Sequence, residues 1–148
     1  MTKSFHISLK AGERIYINGA VLRVDRKVTL EFLNEVTFLL ESHVLQPEQA
    51  TTPLKQMYYL VQTMLVEPAN AALAREMFDR SISQLINFFK RSEVREGLQS
   101  VERLIREDRI FEALKRLRLL FPIEAEVLAG PAASPPSEVQ RAREVGVA

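Results

Sequence analysis

The chain has 148 residues, 47% of them hydrophobic, which is enough for one compact domain and argues against a chain that is disordered throughout. Its 20 Lys and Arg residues against 19 Asp and Glu give a formal net charge of +1, which excludes binding of nucleic acid through bulk charge alone. The absence of cysteine excludes disulfides and thiolate zinc sites. Together with the lack of a secretory signal and of any apolar run of about 18 residues, it leads us to expect a cytoplasmic protein without membrane contact.

Alternating apolar residues predict about five short antiparallel strands in the first 43 residues, close to the minimum for a stable small sheet. Within this region, Asn18-Gly19 is the strongest short-range signal for a two-residue hairpin, because both residues tolerate positive φ at low cost. We therefore expect the two strands of this hairpin over about 13–17 and 20–24.

One face of the hairpin is predicted to carry cations beside an aromatic ring. Alternation along its strands directs Arg14, Tyr16 and Arg23 outward, while the intervening isoleucines and a leucine face a core. Cations displace counterions from phosphates, and an aromatic ring or an amide can meet an unstacked base. Alternatively, the cations only prevent pairing of exposed strand edges. The candidate RNA-binding residues are Lys10, Arg14, Tyr16, Asn18, Arg23, Arg26 and Lys27.

Four helices with short connections are predicted after the strands. The first is expected over about 53–66, behind a threonine hydroxyl that caps its first free amides. The second is expected to start near Asn70, and Ser92 to cap the third. Asp108 is expected to cap the fourth, which should end before Pro122 because proline disfavours helix at the preceding residue.

These elements predict an α+β fold. A small antiparallel β module over 1–47 would pack with a carboxy-terminal bundle of about four helices over 48–126. A flexible tail is expected over 127–148, since its Gly, Pro and Ser residues offer too few apolar side chains to offset the entropy of ordering.

No catalytic or metal-binding motif is evident. His6 and His43 lie outside any recognisable motif, and the chain has neither a phosphate-binding glycine loop nor a nucleophile elbow. The carboxylates show no spacing typical of a calcium loop. We therefore expect a protein that is not an enzyme and needs no cofactor or metal.

The predicted helices carry a second basic set, in which glutamates are interspersed. An ordinary helix surface laced with ion pairs has this pattern, so a binding role is the weaker interpretation for these residues. The set consists of Arg91, Arg95, Arg103, Arg106, Arg109, Lys115, Arg116 and Arg118.

Four ordered blocks of sequence resemble the FlbT family of bacterial flagellar regulators: residues 9–27, 38–43, 50–54 and 59–65. The resemblance spans about 5–124. It implies a cytoplasmic protein that associates with the leader region of flagellin messenger RNA, promotes its decay and couples flagellin synthesis to flagellar assembly. On that implication the cations would position the phosphate backbone, and Tyr16 would offer a stacking face.

A shorter resemblance favours the sheet over the helices as the site of RNA contact. Gly12-Glu13 followed by alternating apolar residues is similar to the opening strands of the carbon storage regulator, a small β protein that binds messenger RNA leaders. This resemblance covers the amino-terminal segment alone, and it does not imply the interlocked dimer of that protein.

Two alternatives to direct RNA binding stay open. The chain could be an adaptor or chaperone that binds flagellin, or another flagellar regulatory protein, and affects the messenger RNA indirectly. Exposed aromatic residues would then form a groove for an amphipathic helix. It could also be an oligomer whose sheet edges pair between subunits. The aromatic candidates for the groove are Tyr58, Phe78, Phe88 and Phe111.

Overall fold

The computed structural model describes residues 5–130, in which five strands precede four helices and confirm the predicted α+β fold. The strands are β1 (Phe5–Leu9), β2 (Arg14–Ile17), β3 (Ala20–Arg23), β4 (Val28–Phe32) and β5 (Phe38–Leu40). The helices are α1 (Pro53–Val66), α2 (Ala71–Phe88), α3 (Ser92–Arg106) and α4 (Ile110–Ala129). Residues 127–129 of the predicted tail belong to α4, and 131–148 lie outside the described residues. The division of the chain at residues 47 and 126 stays a prediction.

The strands form two antiparallel sheets instead of one continuous sheet. β1 pairs with β4, and β2 lies between β3 and β5. Ile7, Leu9 and Ile15 bring the two sheets together around a small core of their own. Leu22, expected on the buried face, remains 44% exposed because β3 is an edge strand beyond this core. In consequence the whole of β3 is accessible from solvent.

The hairpin turn forms where the sequence predicts it. Asn18 and Gly19 have φ values of 49° and 87°, as a turn with two left-handed central residues requires. A Cβ atom on Gly19 would lie 2.9 Å from Cδ of Pro68, so glycine also allows the close approach of the segment after α1. The Asn18 side chain is fixed as well, since its Oδ1 accepts a hydrogen bond from Thr37 Oγ1 at 2.7 Å.

The larger core lies among the helices. α1 packs against both α2 and α4, and α3 packs against α4. Gly97 permits the close contact of α3 with α4, because a Cβ atom there would lie 2.7 Å from Cδ1 of Leu120. Leu39 of β5 is fully buried within this same core, which ties the strands to the helices.

The first helix begins as the sequence predicts. Thr52 Oγ1 accepts the N–H of Lys55 at 3.2 Å, which is the expected threonine cap. The second helix likewise follows Asn70 directly. Both starts are confirmed.

The two other predicted caps are wrong. Ser92 is already the first residue of α3, behind a cap residue without a side-chain cap bond. Asp108, at φ 63°, ends α3 instead of starting α4: its N–H donates to Ile105 O at 2.9 Å, and Arg109 N–H donates to Leu104 O at 2.8 Å. This pair of bonds is the Schellman arrangement, in which a left-handed residue closes a helix.

The predicted end of α4 before Pro122 is also wrong, because the helix continues to Ala129. Glu124 accounts for the continuation. Its carboxylate is buried, and its two oxygens accept hydrogen bonds from Thr52 Oγ1 at 2.5 Å and from Leu54 N–H at 2.8 Å. A carboxylate that accepts from a free amide in the first turn of α1 stabilises this contact and offsets the backbone hydrogen bond that proline lacks.

Candidate nucleic-acid interface

Two lysines meet at one end of the β1–β4 ladder. Leu9 pairs with Val28, so that Lys10 directly follows and Lys27 directly precedes the last residue pair of this ladder. Both lysine side chains are exposed. The connection that contains Lys27 also contains Arg26, which is exposed too.

Two arginines meet at the neighbouring end of the hairpin. Arg14 lies directly opposite Arg23, in the residue pair of the β2–β3 ladder that is farthest from the turn. Gly12 N–H donates to Val24 O at 2.7 Å, which ties this end of the hairpin to the turn after β1. The structure therefore brings five predicted cations together at what we call the basic end: Lys10, Arg14, Arg23, Arg26 and Lys27.

The cations of the basic end form few ion pairs within the described residues. Arg26 and Asp25 form an exposed ion pair at 3.2 Å, of a kind that contributes little. Glu13 and Glu41 each accept a backbone N–H at 2.8 Å. Like charges directly opposite each other destabilise a strand pair, so a bound anion would relieve the repulsion between the two arginines. Among residues 5–130, the cations of the basic end without a salt bridge are Lys10, Arg14, Arg23 and Lys27.

Tyr16 and Asn18 do not belong to the cation cluster of the basic end. Asn18 is four residues from Arg14 along the strand, about 13 Å, and its side chain is already bonded to Thr37. Tyr16 shares the face of Arg14, but it is half-buried against the helical core, which corrects its expected outward position. The reason is that both faces of β2 are covered, and alternation alone does not show this. Their contacts with RNA stay predictions.

Beside the half-buried Tyr16, a cleft of about 290 Å³ lies between the hairpin and α1. Tyr16 and Val21 line it from the hairpin, and Tyr59 lines it from α1. Tyr59 is a functional candidate that the sequence reasoning missed. The signal was the pair Tyr58-Tyr59: neighbouring helical residues point in different directions, so one ring enters the core while the next stays near the surface.

In the second basic set, three arginines form ion pairs with glutamates at the surface: Arg91, Arg106 and Arg109. Arg109 contacts Glu112 at 2.6 Å and Glu107 at 3.1 Å, and the hydrogen bonds that it donates to both carboxylates raise its pKa. The hydrogen bond from Arg109 in turn lowers the pKa of Glu112. Arg91 likewise contacts Glu93 at 2.7 Å. The interspersed glutamates therefore have the role that the sequence predicts for them.

Two other arginines of this set bond to groups of the fold itself. Arg95 Nη1 donates to Ile86 O at 2.9 Å and to Phe89 O at 3.2 Å, which satisfies carbonyls at the end of α2. Arg118 Nη1 donates to the hydroxyl of Tyr58 at 2.8 Å. These guanidinium groups are thus bonded within the protein.

The Tyr58 hydroxyl links α1 to the segment after β5. It donates to His43 O at 2.5 Å. Burial raises the pKa of Tyr58, against a smaller lowering by Arg118. Burial, and secondly the positive charge of Arg118, lower the pKa of His43. This cluster is partly buried and joins the segment after β5 to α1 and α4.

An apolar groove of about 570 Å³ runs between α1 and α2. Phe88 and Met77 line it and are 58% and 42% exposed. The adaptor alternative would also place Tyr58 and Phe78 on such a surface, but each is 1% exposed and belongs to the core. Phe111 is half-buried against Phe38, with ring centroids 5.3 Å apart. Of the four aromatic candidates, Phe88 lines the groove.

Residues 5–130 include no helix that is both long and apolar enough to cross a membrane. The same described range holds no group of three or more His, Cys, Asp or Glu side chains placed to bind a metal ion.

The family described as "Flagellar protein FlbT" matches residues 5–128. Three relatives carry the name "Probable flagellum biosynthesis repressor protein FlbT". The protein from Mesorhizobium japonicum is 55% identical over 130 residues, 88% of each chain. That from Agrobacterium fabrum is 48% identical over 145 residues, 98% of this chain and 97% of its own. That from a Chelativorans species is 52% identical over 129 residues, 87% of this chain and 89% of its own. No solved structure matches the chain.

Proposed function

The chain belongs to the FlbT family of flagellar proteins, and we propose that it represses flagellum biosynthesis by binding the leader region of flagellin messenger RNA. Binding would expose the message to degradation by other factors and so couple flagellin synthesis to flagellar assembly. In this proposal the protein has no nuclease chemistry of its own. A regulatory role is supported by the relatives, which are named as repressors of flagellum biosynthesis.

The observation that carries the proposal is the convergence of five cations at the basic end, although the whole chain has a net charge of only +1. Each phosphate that a cation neutralises releases condensed counterions, so affinity for RNA falls as salt rises. Contacts with five phosphates of a single strand would give a slope of about −3.5 for log K against log salt, at about −0.7 for each phosphate.

The test is binding of the purified protein to a flagellin leader RNA over a series of salt concentrations. A scrambled RNA of the same length and composition measures sequence selectivity. We expect the double variant Arg14→Glu and Arg23→Glu to weaken binding strongly and to reduce the salt dependence. The matched control, Lys115→Glu with Arg116→Glu, makes the same charge change at two exposed positions of α4 and should bind nearly as the wild type does.

Unchanged affinity and salt slope in a folded Arg14 and Arg23 variant would contradict the assignment of RNA binding to the basic end. Equal weakening in both double variants would show that overall charge, not the basic end, governs binding. The purified protein should leave the leader RNA intact, because the proposal assigns cleavage to other factors. Cleavage that persists in repurified protein would contradict that part of it.

A second candidate function is a flagellin-binding adaptor, favoured by the α1–α2 groove. The residues that line this groove include no Lys, Arg, Asp or Glu, as suits the apolar face of an amphipathic helix. Phe88→Ser should weaken flagellin binding and leave RNA binding unchanged if the protein acts in this way. Flagellin binding without RNA binding in the wild-type protein would make the adaptor the better explanation.

A further inference from the structure

The cleft beside the basic end has a volume and a lining that suit one flat ring system. Its volume of about 290 Å³ lies at the lower limit of small-ligand pockets, which are about 300–1,000 Å³. Tyr16 and Tyr59 contribute aromatic rings from opposite sides, and Val21 and Val66 contribute apolar surface. A nucleobase is a flat ring system that stacks on aromatic side chains whatever its identity.

The cleft and the two arginines share one face of the hairpin. Tyr16 pairs with Val21, and Arg14 pairs with Arg23, two residues farther along each strand. Side chains two residues apart on a strand point to the same side and are separated by about 7 Å. The guanidinium groups are thus placed to contact phosphates next to a base that occupies the cleft.

Both walls of the cleft are held in place by the fold. Gln62 bonds to both backbone groups of Leu45: its Oε1 accepts the N–H at 2.7 Å, and its Nε2 donates to the carbonyl at 2.9 Å. The hairpin turn is fixed against the end of α1 through the contact of Gly19 with Pro68. A ligand would therefore find the cleft already formed, which lowers the ordering cost of binding.

We propose that this cleft binds one unpaired base of the RNA, while Arg14 and Arg23 contact the adjoining phosphates. The inference rests on the proposed function, since it specifies how the same surface recognises its RNA. It assigns Tyr59 a binding role and makes the target a single-stranded segment, because a paired base is not free to enter a cleft.

One rim residue favours some bases over others. Glu67 lines the cleft, and its carboxylate can only accept hydrogen bonds when ionised. One of its oxygens, Oε1, already accepts from Asn70 Nδ2 at 3.1 Å, which leaves the other available. Guanine, adenine and cytosine carry an exocyclic amino group that can donate to this oxygen, and uracil does not.

The test compares a single-stranded fragment of the flagellin leader with the same fragment hybridised to its complement. Tyr59→Leu removes the ring and keeps apolar bulk, whereas Tyr59→Phe keeps the ring. We expect Tyr59→Leu to raise the Kd for the single strand about 5- to 150-fold, and Tyr59→Phe to change it less than about twofold. The salt slope should stay as in the wild type, because no cation is removed.

A second pair of variants avoids the partly buried tyrosine. Val21→Glu places a negative charge on the cleft side of β3, at a residue 59% exposed. Leu22→Glu makes a similar change at a residue 44% exposed on the opposite face of the same strand. Val21→Glu should weaken binding several-fold more than Leu22→Glu.

The outcomes separate this inference from the proposed function. Three results would overturn the proposal that the cleft binds a base and would leave the proposal of RNA binding intact. One is equal affinity of the wild-type protein for the hybridised fragment and for the single strand. Another is equal affinity of Tyr59→Leu and Tyr59→Phe for the single strand. The third is equal effects of the two glutamate variants. Failure of the wild-type protein to bind the leader at any salt concentration would instead overturn the proposed function itself.

Discussion

The two basic regions of this protein contain similar residues in different electrostatic settings. Helical arginines such as Arg95 and Arg109 are bonded to backbone carbonyls or to glutamates within the chain. At the basic end, by contrast, Arg14 and Arg23 face each other across a strand pair, and in residues 5–130 neither has a salt bridge. The bonded helical arginines stabilise the fold, whereas Arg14 and Arg23 are available to an anion outside it.

This difference shows why a count of charges is a poor guide to function. The chain as a whole is nearly neutral, and the helical set is the larger of the two. What distinguishes Arg95 and Arg109 from Arg14 and Arg23 is whether the cation already has a partner in the fold. Substitutions should therefore affect folding in one region and RNA affinity in the other, and the following predictions test that separation.

The largest effect is expected where the helical half buries a charge. Glu124→Ala removes two hydrogen bonds to a buried carboxylate, to the Thr52 hydroxyl and to the Leu54 amide. Bonds to charged groups contribute about 1.5–3 kcal/mol each, so we expect the free energy of unfolding to fall by about 3 kcal/mol. Chemical denaturation measures this value. Glu126→Ala is the control: this exposed carboxylate pairs with Arg91, and its loss should cost less than about 1 kcal/mol.

Equal costs for the two variants would mean that the Glu124 contact is no stronger than a surface ion pair. The continuation of α4 beyond Pro122 would then need another explanation. Affinity for RNA, measured on the folded fraction, should be the same in both variants, because neither residue lies near the basic end.

A smaller loss of stability is expected from Arg95→Ala. This change leaves the carbonyls of Ile86 and Phe89 without their donor at the end of α2. A partly buried carbonyl without a partner costs about 1–3 kcal/mol, and we expect the free energy of unfolding to fall by about 2 kcal/mol. Arg103→Ala is a matched control, because this exposed arginine makes a long contact of 3.4 Å with Ser100. If Arg95→Ala were as stable as Arg103→Ala, the distinction between bonded and available cations would lose its physical basis.

How far the sequence alone leads can be judged from these same elements. The hairpin at Asn18-Gly19 and the start of α1 behind Thr52 are local, since each depends on the residues beside it, and both are confirmed. The continuation of α4 depends on a bond from Glu124 to a residue 70 positions earlier. A local sequence pattern cannot reveal a contact between residues so far apart along the chain.

The candidate site likewise combines features that the sequence shows with features that only the structure shows. That five cations lie near the start of the chain is visible in the sequence, but their convergence depends on the register of two separate ladders. The half-burial of Tyr16 and the position of Tyr59 across the cleft depend on how α1 packs against the hairpin. Only the structure places both tyrosines in the lining of one cleft.

At the basic end, substitution of the arginines should not lower the free energy of unfolding, in contrast to substitution of Arg95. Arg14→Ala with Arg23→Ala removes two like charges that lie directly opposite each other. Such a pair destabilises a sheet by about 0.2–1 kcal/mol, so the free energy of unfolding should stay constant or rise by about that amount at low salt. RNA affinity should fall in the same protein. A loss of more than about 1 kcal/mol in stability would show that these arginines support the fold.

The smallest expected effect is a change in how the stability of the fold depends on pH. Burial and the charge of Arg118 lower the pKa of His43 below its ordinary value of 6.5. The unfolded chain therefore binds a proton at His43 more readily than the folded chain does. Stability from this residue is complete above about pH 6.5 and decreases as the pH falls through that value toward the lower pKa of the folded state.

His43→Gln should reduce this decrease, because glutamine does not titrate and leaves intact the backbone carbonyl that Tyr58 contacts. Unfolding midpoints in urea at pH 5 and pH 8 measure the difference for both proteins. The control is the variant His6→Gln, because His6 is exposed and lies 3.7 Å from Glu31. If His43→Gln lost as much stability between the two pH values as the wild type does, protonation of His43 would not contribute, and the acid sensitivity would come from the carboxylates instead.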